Sequence, residues 1–447
     1  MTSTRPPAPA RGLRSTAGTG YLAGLFVDAL GSGLYLPLTV LFFHQVTRLP
    51  VTSIGLGLTL AAIAGVAANP VAGVLADRFG ARHVVIASYL ARAVGFACYP
   101  LVDGFTAFVA VAALVAVGDR SYYAANSAYV ADLAEGAARD RLYALVRTAR
   151  NVGFGLGGLF TAAAVEFVGT SGYHLIAVGN AASFLLAAAL LAGTARGTGG
   201  GRRADPPHAD PPSLLGMFAG YRRVLTDRPY RRLVLAELAF TVAHQIFPLA
   251  VPVYAAMVLD APAGLLGVLF TVNAVLVGAG QLAVLRWQRT VRRTHAMAFA
   301  GVVFIAAFGA FALAARLPAG VGVAVGLLAA TLLFTLGELL HTAPSASLGA
   351  GAAPPSHRGR YLAVYQLTWA VSAILAPAGV TGLVSANPQL LWLAAAGIVA
   401  VASLTLLRLA PRLPVDAVWP EPVGDGGRRG AGSGVQALVG GGRPARR

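Results

Sequence analysis

The chain has 447 residues, 57% of them hydrophobic and only 11% charged, with a mean hydropathy of +0.69. Soluble domains carry about 25% charged residues, so an ordinary soluble fold is excluded by the large apolar patches it would expose. The formal charge of +17 comes entirely from arginine, and its concentration in alternate loops speaks for a membrane protein and against a nucleic-acid binder.

A membrane-spanning helix needs about 20 mostly apolar residues. Twelve such stretches are predicted, near 20–44, 51–76, 83–102, 106–131, 145–168, 171–193, 232–258, 262–285, 296–315, 319–341, 361–385 and 389–409. The expected fold class is therefore an all-α membrane protein of twelve transmembrane helices in two six-helix halves. The first stretch is too long for a signal-peptide core and has no small-residue cleavage site after it. The expected organisation is a cytoplasmic tail (1–19), a first half (20–193), a linker (194–231), a second half (232–409) and a disordered cytoplasmic tail (410–447).

Of the 34 arginines, 30 fall in the termini and the loops on one side, and only Arg48 and Arg316 fall in the loops on the other. Cytoplasmic loops carry the excess of Arg and Lys. Both termini are thus expected in the cytoplasm, in a bacterial plasma membrane. The linker "GTARGTGGGRRADPPHADPP" reads as flexible. After it, Ser213 can cap a helix whose Leu214, Leu215, Phe218, Tyr221 and Leu225 form one apolar face, suited to lying on the membrane surface. Cys98 is the single cysteine, so an internal disulfide, a Cys-rich metal site and a CxxC pair are excluded.

The halves repeat weakly. "ANSA" at 125–128 and "APSA" at 343–346 share an offset of about 219, as do Arg139 with Arg358, Arg141 with Arg360, and Ala144 with Ala363. Both matches join corresponding spans, four to five and ten to eleven. Such repeats mark transporters, with the substrate site near the midplane between them.

Between spans two and three stands "GVLADRFGAR", with Gly73, Asp77, Arg78, Gly80 and Arg82. It resembles the loop signature of the major facilitator superfamily, Gly-x-x-x-Asp-Arg-x-Gly-Arg-Arg/Lys, with Ala81 departing at one basic position. Gly73 would let span two approach a neighbour closely. Gly80 permits a sharp turn, and Asp77 can face a helix N-terminus. The resemblance implies that this N-terminus belongs to span eleven, near Arg358 to Tyr361. Arg78 and Arg82 can pair with acids or lipid phosphates. The motif would then latch the halves on the cytoplasmic side when the outside is open. Its counterpart at 280–293 keeps Gly280 but has Val284 in place of the Asp, so the latch is expected to be asymmetric.

Ionisable residues inside spans are costly and mark function by default. Among them Asp28, Arg92, Asp119, Arg120, Glu237 and Glu338 are taken as proton-coupling candidates. Asp28 ranks first as proton carrier, with Gly31 and Gly33 opening space beside it. Drug antiporters of the superfamily carry an acid in span one and an Arg in span four, a pair that Asp28 and Arg120 resemble. Arg92 and Asp119 read equally well as structural ion-pair members. His244 and His341 read as satisfied bundle residues, with no metal-ligand spacing around them. In span five, Gly153, Gly155, Gly157 and Gly158 partly resemble the Gly-rich motif of drug exporters, although Gly158 stands where that motif has Pro. Pro377, Gly379 and Gly382 of span eleven come closer to the pattern, in the other half.

Candidate cavity residues are Tyr35, Tyr122, Tyr123, Asn126, His244, Gln245, Asn273, Gln366 and Trp369, aromatic and amide groups suited to amphipathic, often cationic, organic compounds. The expected activity is proton-coupled export of drug-like or metabolite molecules by a monomer. The expected partners are the small-molecule substrate, protons and membrane lipids, with no cofactor, metal or nucleic acid. Nutrient import on the same fold and a non-transporting sensor remain the alternatives. No GxSxG, HExxH, Ser-Lys or nucleotide-loop constellation suggests an enzyme.

Overall fold

The computed structural model describes residues 16–35, 39–133, 136–168, 170–194, 222–288 and 290–419. Among them every regular element is helical. The surface helix expected from Ser213 to Tyr221, the first 15 residues and the tail beyond 419 lie outside the described residues.

The first half comprises α1 (Thr16–Tyr35), α2 (Thr39–Thr47), α3 (Val51–Phe79), α4 (Ala81–Cys98), α5 (Phe105–Leu133), α6 (Gly136–Val168) and α7 (Thr170–Gly193). The second comprises α8 (Arg228–Met257), α9 (Ala263–Gln288), α10 (Arg293–Ala314), α11 (Val321–Gly351), α12 (Arg358–Ala386) and α13 (Pro388–Leu409). Among the described residues, ten helices are long and apolar enough to cross a membrane, and α1 with α2 makes an eleventh if that bent pair is one span. The fifth predicted span falls on α6, which is not among these ten. The count of twelve therefore does not follow from length and apolarity alone.

Local chemistry sets several ends. Gly80 takes φ +89° between α3 and α4, a left-handed conformation that lets the chain reverse within one residue. Asp227 caps α8 by accepting from the Tyr230 amide, and Asn387 caps α13 by accepting from the Gln389 amide.

The packing repeats. α1 lies on α6 and α7, α3 on α5, and α4 on α5 and α7. Likewise α8 lies on α12 and α13, α9 on α11, and α10 on α11 and α13. The halves meet where α3 packs on α12 and α6 on α9. Exchanging the halves maps one of these seams onto the other, so the bundle has an internal pseudo-twofold relation. We call the side holding the start of α1 and the end of α13 the terminal face, and the opposite side the far face.

In lipid the hydrophobic effect does not distinguish helix–helix from helix–lipid contact, so close backbone approach carries much of the packing. α6 divides its glycines between two partners. Gly153 and Gly157 press on α1, where a Cβ at 157 would meet the Leu30 carbonyl oxygen at 2.3 Å and the Gly33 Cα at 2.8 Å. Gly155 and Gly158 face α9 of the other half. Gly179 on α7 has nothing within 4 Å of an added Cβ. Gly157→Ala is expected to lose about 1–3 kcal/mol through overpacking, and Gly179→Ala to leave stability within about 0.5 kcal/mol. Thermal unfolding of both purified variants checks this contrast, and equal stability would remove the packing role of Gly157.

Residues 410–419, assigned above to a disordered tail, keep regular structure. A short helix, α14 (Val415–Val418), seats Ala417 and Val418 against the bundle. Arg293 Nη1 donates to the carbonyls of Asp416 and Ala417, both at 2.9 Å, and Arg292 lies over the Trp419 ring.

Candidate functional site

Two chambers lie between the halves. One, of about 310 Å³, is lined mainly by α8, α9, α11 and α12, with Gly33 of α1 and Asn151 and Phe154 of α6 closing it from the first half. The other, of about 320 Å³, is lined mainly by α1, α3, α4, α5 and α7. Gln245 and Pro248 border both, so the chambers adjoin across α8.

The first-half chamber is lined by Arg92, one member of a buried charge pair. Arg92 Nη2 donates to Asp28 Oδ1 at 2.7 Å, with both side chains almost wholly shielded. The guanidinium sits over the Phe184 ring, 3.9 Å from its centroid, with Tyr89 and Tyr122 close by. Gly31 allows this assembly, because a Cβ there would collide with Ser183 and Asn180 of α7. Arg92 Nη1 and Asn180 Nδ2 are buried and make no hydrogen bond, and both residues line the chamber.

The sequence expectation paired Asp28 with Arg120. The structure corrects this: Arg92 of α4 holds Asp28, and Arg120 lines the chamber wall beside Asp119. The two arginines stand on different helices: Arg92 reaches α1 from α4, whereas Arg120 of α5 packs at Gly65 of α3.

The second-half chamber carries Glu338, reached by Asn273 Nδ2 at 3.1 Å. Behind it stands a polar chain. His244 Nδ1 is 3.9 Å from Glu338 Oε1, and His244 Nε2 is 3.0 Å from His341 Nδ1. His341 Nε2 is 3.2 Å from Glu237 Oε2. Glu237 also accepts from Ser345 Oγ at 2.8 Å and Tyr365 Oη at 2.9 Å. The two histidines are thus hydrogen-bonded bundle residues, with Glu237 bonded to His341 and Glu338 3.9 Å from His244. Ser345 and Tyr365 were missed by the sequence reading, although Ser345 lies within the quoted "APSA" and Tyr365 two positions beyond the repeated Ala363.

Of the nine predicted cavity residues, His244, Gln245, Asn273 and Trp369 line the second-half chamber, and Tyr35 and Gln245 line the first. The others go elsewhere. Tyr122 is buried against Tyr89. Tyr123 accepts from Arg150 at 2.6 Å, and Asn126 accepts from Tyr21 at 2.8 Å. Gln366 is exposed and lines neither chamber. Asn151, Phe247, Phe270 and Phe334 belong to the wall without having been predicted.

The loop motif also departs from expectation. Gly73 has nothing within 4 Å of an added Cβ, so it permits no close approach in this conformation. Arg82 Nη2 donates to the carbonyls of Leu191, Ala192 and Thr194, capping the end of α7 at 2.9 Å each. Arg78 stacks over Phe79, and Asp77 is exposed. On the far face the halves are in tight contact. Thr59 Oγ1 of α3 donates to the Ile374 carbonyl of α12 at 2.8 Å, and a Cβ at Gly55 would collide with Thr381.

Comparison with known proteins gives a consistent lineage. The family model described as Major Facilitator Superfamily matches residues 21–377. A Na(+), Li(+), K(+)/H(+) antiporter of Planococcus maritimus is 23% identical over 355 residues, 72% of this chain and 79% of that protein. An uncharacterized MFS-type transporter of Escherichia coli (strain K12) is 27% identical over 144 residues, 32% of this chain and 36% of that one. Among solved structures, a POT family transporter superposes with TM-score 0.70 at 12% identity, covering 89% of this chain and 96% of that one. The nucleoside transporter NupG gives 0.69 at 13% identity, covering 88% and 99%, and a D-xylose-proton symporter 0.66 at 14%, covering 90% and 98%. These structural likenesses speak for the fold.

Proposed function

Because the chain belongs to the Major Facilitator Superfamily, as the match over residues 21–377 shows, we propose that this membrane transporter exports amphipathic organic molecules in exchange for protons, by alternating access. The observation that carries the reading is the buried Asp28–Arg92 pair, whose Arg92 lines the chamber between the halves. A proton arriving on Asp28 removes the charge that balances Arg92. An unbalanced buried cation is costly, so the proton and the arrangement of the halves around the pair are thermodynamically linked. Substrate and proton then compete for one conformation through this shared wall.

Aromatic walls from Phe247, Phe270, Phe334 and Trp369 suit an apolar ring system, and Glu338 offers a carboxylate to a cationic group. Exchange rather than symport is supported by the similarity to the Planococcus maritimus antiporter. That relative also favours a second reading, exchange of an alkali cation for the proton. The arginine bias supports cytoplasmic termini in a bacterial plasma membrane.

Inside-out vesicles from a host stripped of its own exporters, with a pH-sensitive dye inside, test the reading. Organic cations, drugs, Na+ and K+ are added in turn to vesicles carrying the wild type or Asp28→Asn. At least one organic compound is expected to dissipate the proton gradient in the wild type and not in Asp28→Asn. A response to Na+ or K+ alone would move the assignment to alkali-cation exchange. No response from abundant, inserted protein would overturn proton antiport.

A further inference from the structure

Glu237 lines neither chamber, is 1% exposed, and yet is connected to the cavity acid Glu338 by two imidazoles in series. We propose that Glu338, His244, His341 and Glu237 form a proton-transfer chain, with Glu237 as a second, buried proton site in the half opposite Asp28. The proposal rests on the transporter reading for its purpose but not for its chemistry.

The geometry allows a balanced sequence of hops. With both rings neutral and protonated on Nε2, His244 Nε2–H donates to His341 Nδ1 and His341 Nε2–H donates to Glu237 Oε2, the contacts seen at 3.0 and 3.2 Å. A proton on Glu338 Oε1 passes to His244 Nδ1. His244 releases its Nε2 proton to His341 Nδ1, and His341 releases its Nε2 proton to Glu237 Oε2. Glu338 ends as carboxylate and Glu237 as carboxylic acid. Both rings end neutral, protonated on Nδ1, and no net charge is created along the path. Return through the same contacts restores the first tautomers.

The link to the cavity is the weak one. At 3.9 Å, His244 and Glu338 are beyond direct hydrogen-bond reach. Asn273 holds the other Glu338 oxygen at 3.1 Å. A small swing of Glu338, or one bridging water, closes the chain. Glu338 forms the cavity wall, so whatever occupies the chamber decides whether the proton can move inward.

The surroundings favour transfer along the chain over leakage. Phe240 stacks on His341 at 4.5 Å, and Phe304 and Trp369 each lie 5.4 Å from His244. From α12, Tyr365 donates to Glu237, and from α11, Ser345 does the same. Tyr230 and Tyr361, packed edge-to-face at 4.6 Å, stand between this cluster and the terminal face, where Tyr361 donates to Asp227. The titratable groups around the chain are therefore its own four members and these tyrosines. No arginine contact is seen on Glu237, His244, His341 or Glu338 among the described residues.

Time-resolved infrared spectroscopy of the full chain in liposomes after a pH jump tests the proposal without any substrate. The carboxylic C=O band that disappears in Glu237→Gln reports that residue. In wild type it is expected to follow the jump, and in His244→Gln to follow it about a hundredfold more slowly, the scale of a lost positioned proton donor. Glu338→Gln, whose side chain is partly exposed and whose loss leaves the core intact, is expected to slow it as well. Unchanged rates in both variants, or a Glu237 band that does not respond to pH, would overturn the chain. If His244→Gln does not fold, Glu338→Gln decides. The vesicle assay can fail while this one succeeds, which would discard the export reading and keep the relay.

Discussion

Arg92→Met is expected to lose about 3–5 kcal/mol of stability, and the double variant Asp28→Asn/Arg92→Met to recover most of it. Arg92 is 4% and Asp28 6% exposed, and their contact is 2.7 Å. Removing the guanidinium leaves a carboxylate among apolar helices with Ser32, at 3.4 Å, as its remaining close donor. Removing the charge of both residues leaves neither uncompensated, and the aromatic wall of Phe184, Tyr89 and Tyr122 can close on the Met side chain. Thermal unfolding of the four purified proteins of the cycle gives the coupling directly. A double variant as unstable as Arg92→Met would assign the loss to packing rather than charge. An Arg92→Met protein as stable as wild type would remove the charged pair from the account of coupling.

Gly55→Val is expected to open the far face. A Cβ at position 55 would meet Thr381 Oγ1 at 1.8 Å and the Pro377 carbonyl at 2.7 Å, both on the other half. The added bulk therefore strains the seam between halves and leaves each half's own core alone. Overpacking of about 1–3 kcal/mol placed on one conformation shifts a two-state equilibrium by about five- to 150-fold. The reporter is Leu58→Cys, which lies on the chamber wall, in a Cys98→Ser background. A membrane-impermeant maleimide applied from the far side is expected to label it at least about fivefold faster with Gly55→Val. Equal labelling, with the protein folded, would show that the α3–α12 seam does not gate access.

The two acids of the chambers fall at nearly the same place in the repeat. The offset of 219 that aligns Arg139 with Arg358 carries Asp119 onto Glu338, and the offset of 218 that aligns "ANSA" with "APSA" carries it one position short, onto Gly337. Asp119 lines the first-half chamber and Glu338 the second. The halves have therefore put different chemistry on one scaffold. The first half uses an Asp–Arg pair between α1 and α4, and the second uses acids and imidazoles between α8 and α11.

The amino-acid sequence by itself determined the all-helical membrane class, the approximate place of the spans, the Gly80 turn and the duplication into halves. These are local properties: about 20 apolar residues in a row, one glycine able to take positive φ, arginines excluded from one set of loops. It also exposed the charged residues inside the spans, because an ionisable group inside a span is visible in one dimension. Only the tertiary structure decided who pairs with whom: Arg92 rather than Arg120 on Asp28, Glu237 with His341 across 104 positions, and Arg82 on the end of α7 across about 110. The reason is the solvent. In water an amphipathic stripe reveals which face of a helix is inward, but in a bilayer the lipid-facing and core-facing sides are both apolar. Rotation about each helix axis is then set by small-residue contacts such as Gly31 against Ser183 and Gly157 against Leu30, and these exist only once the helices are packed.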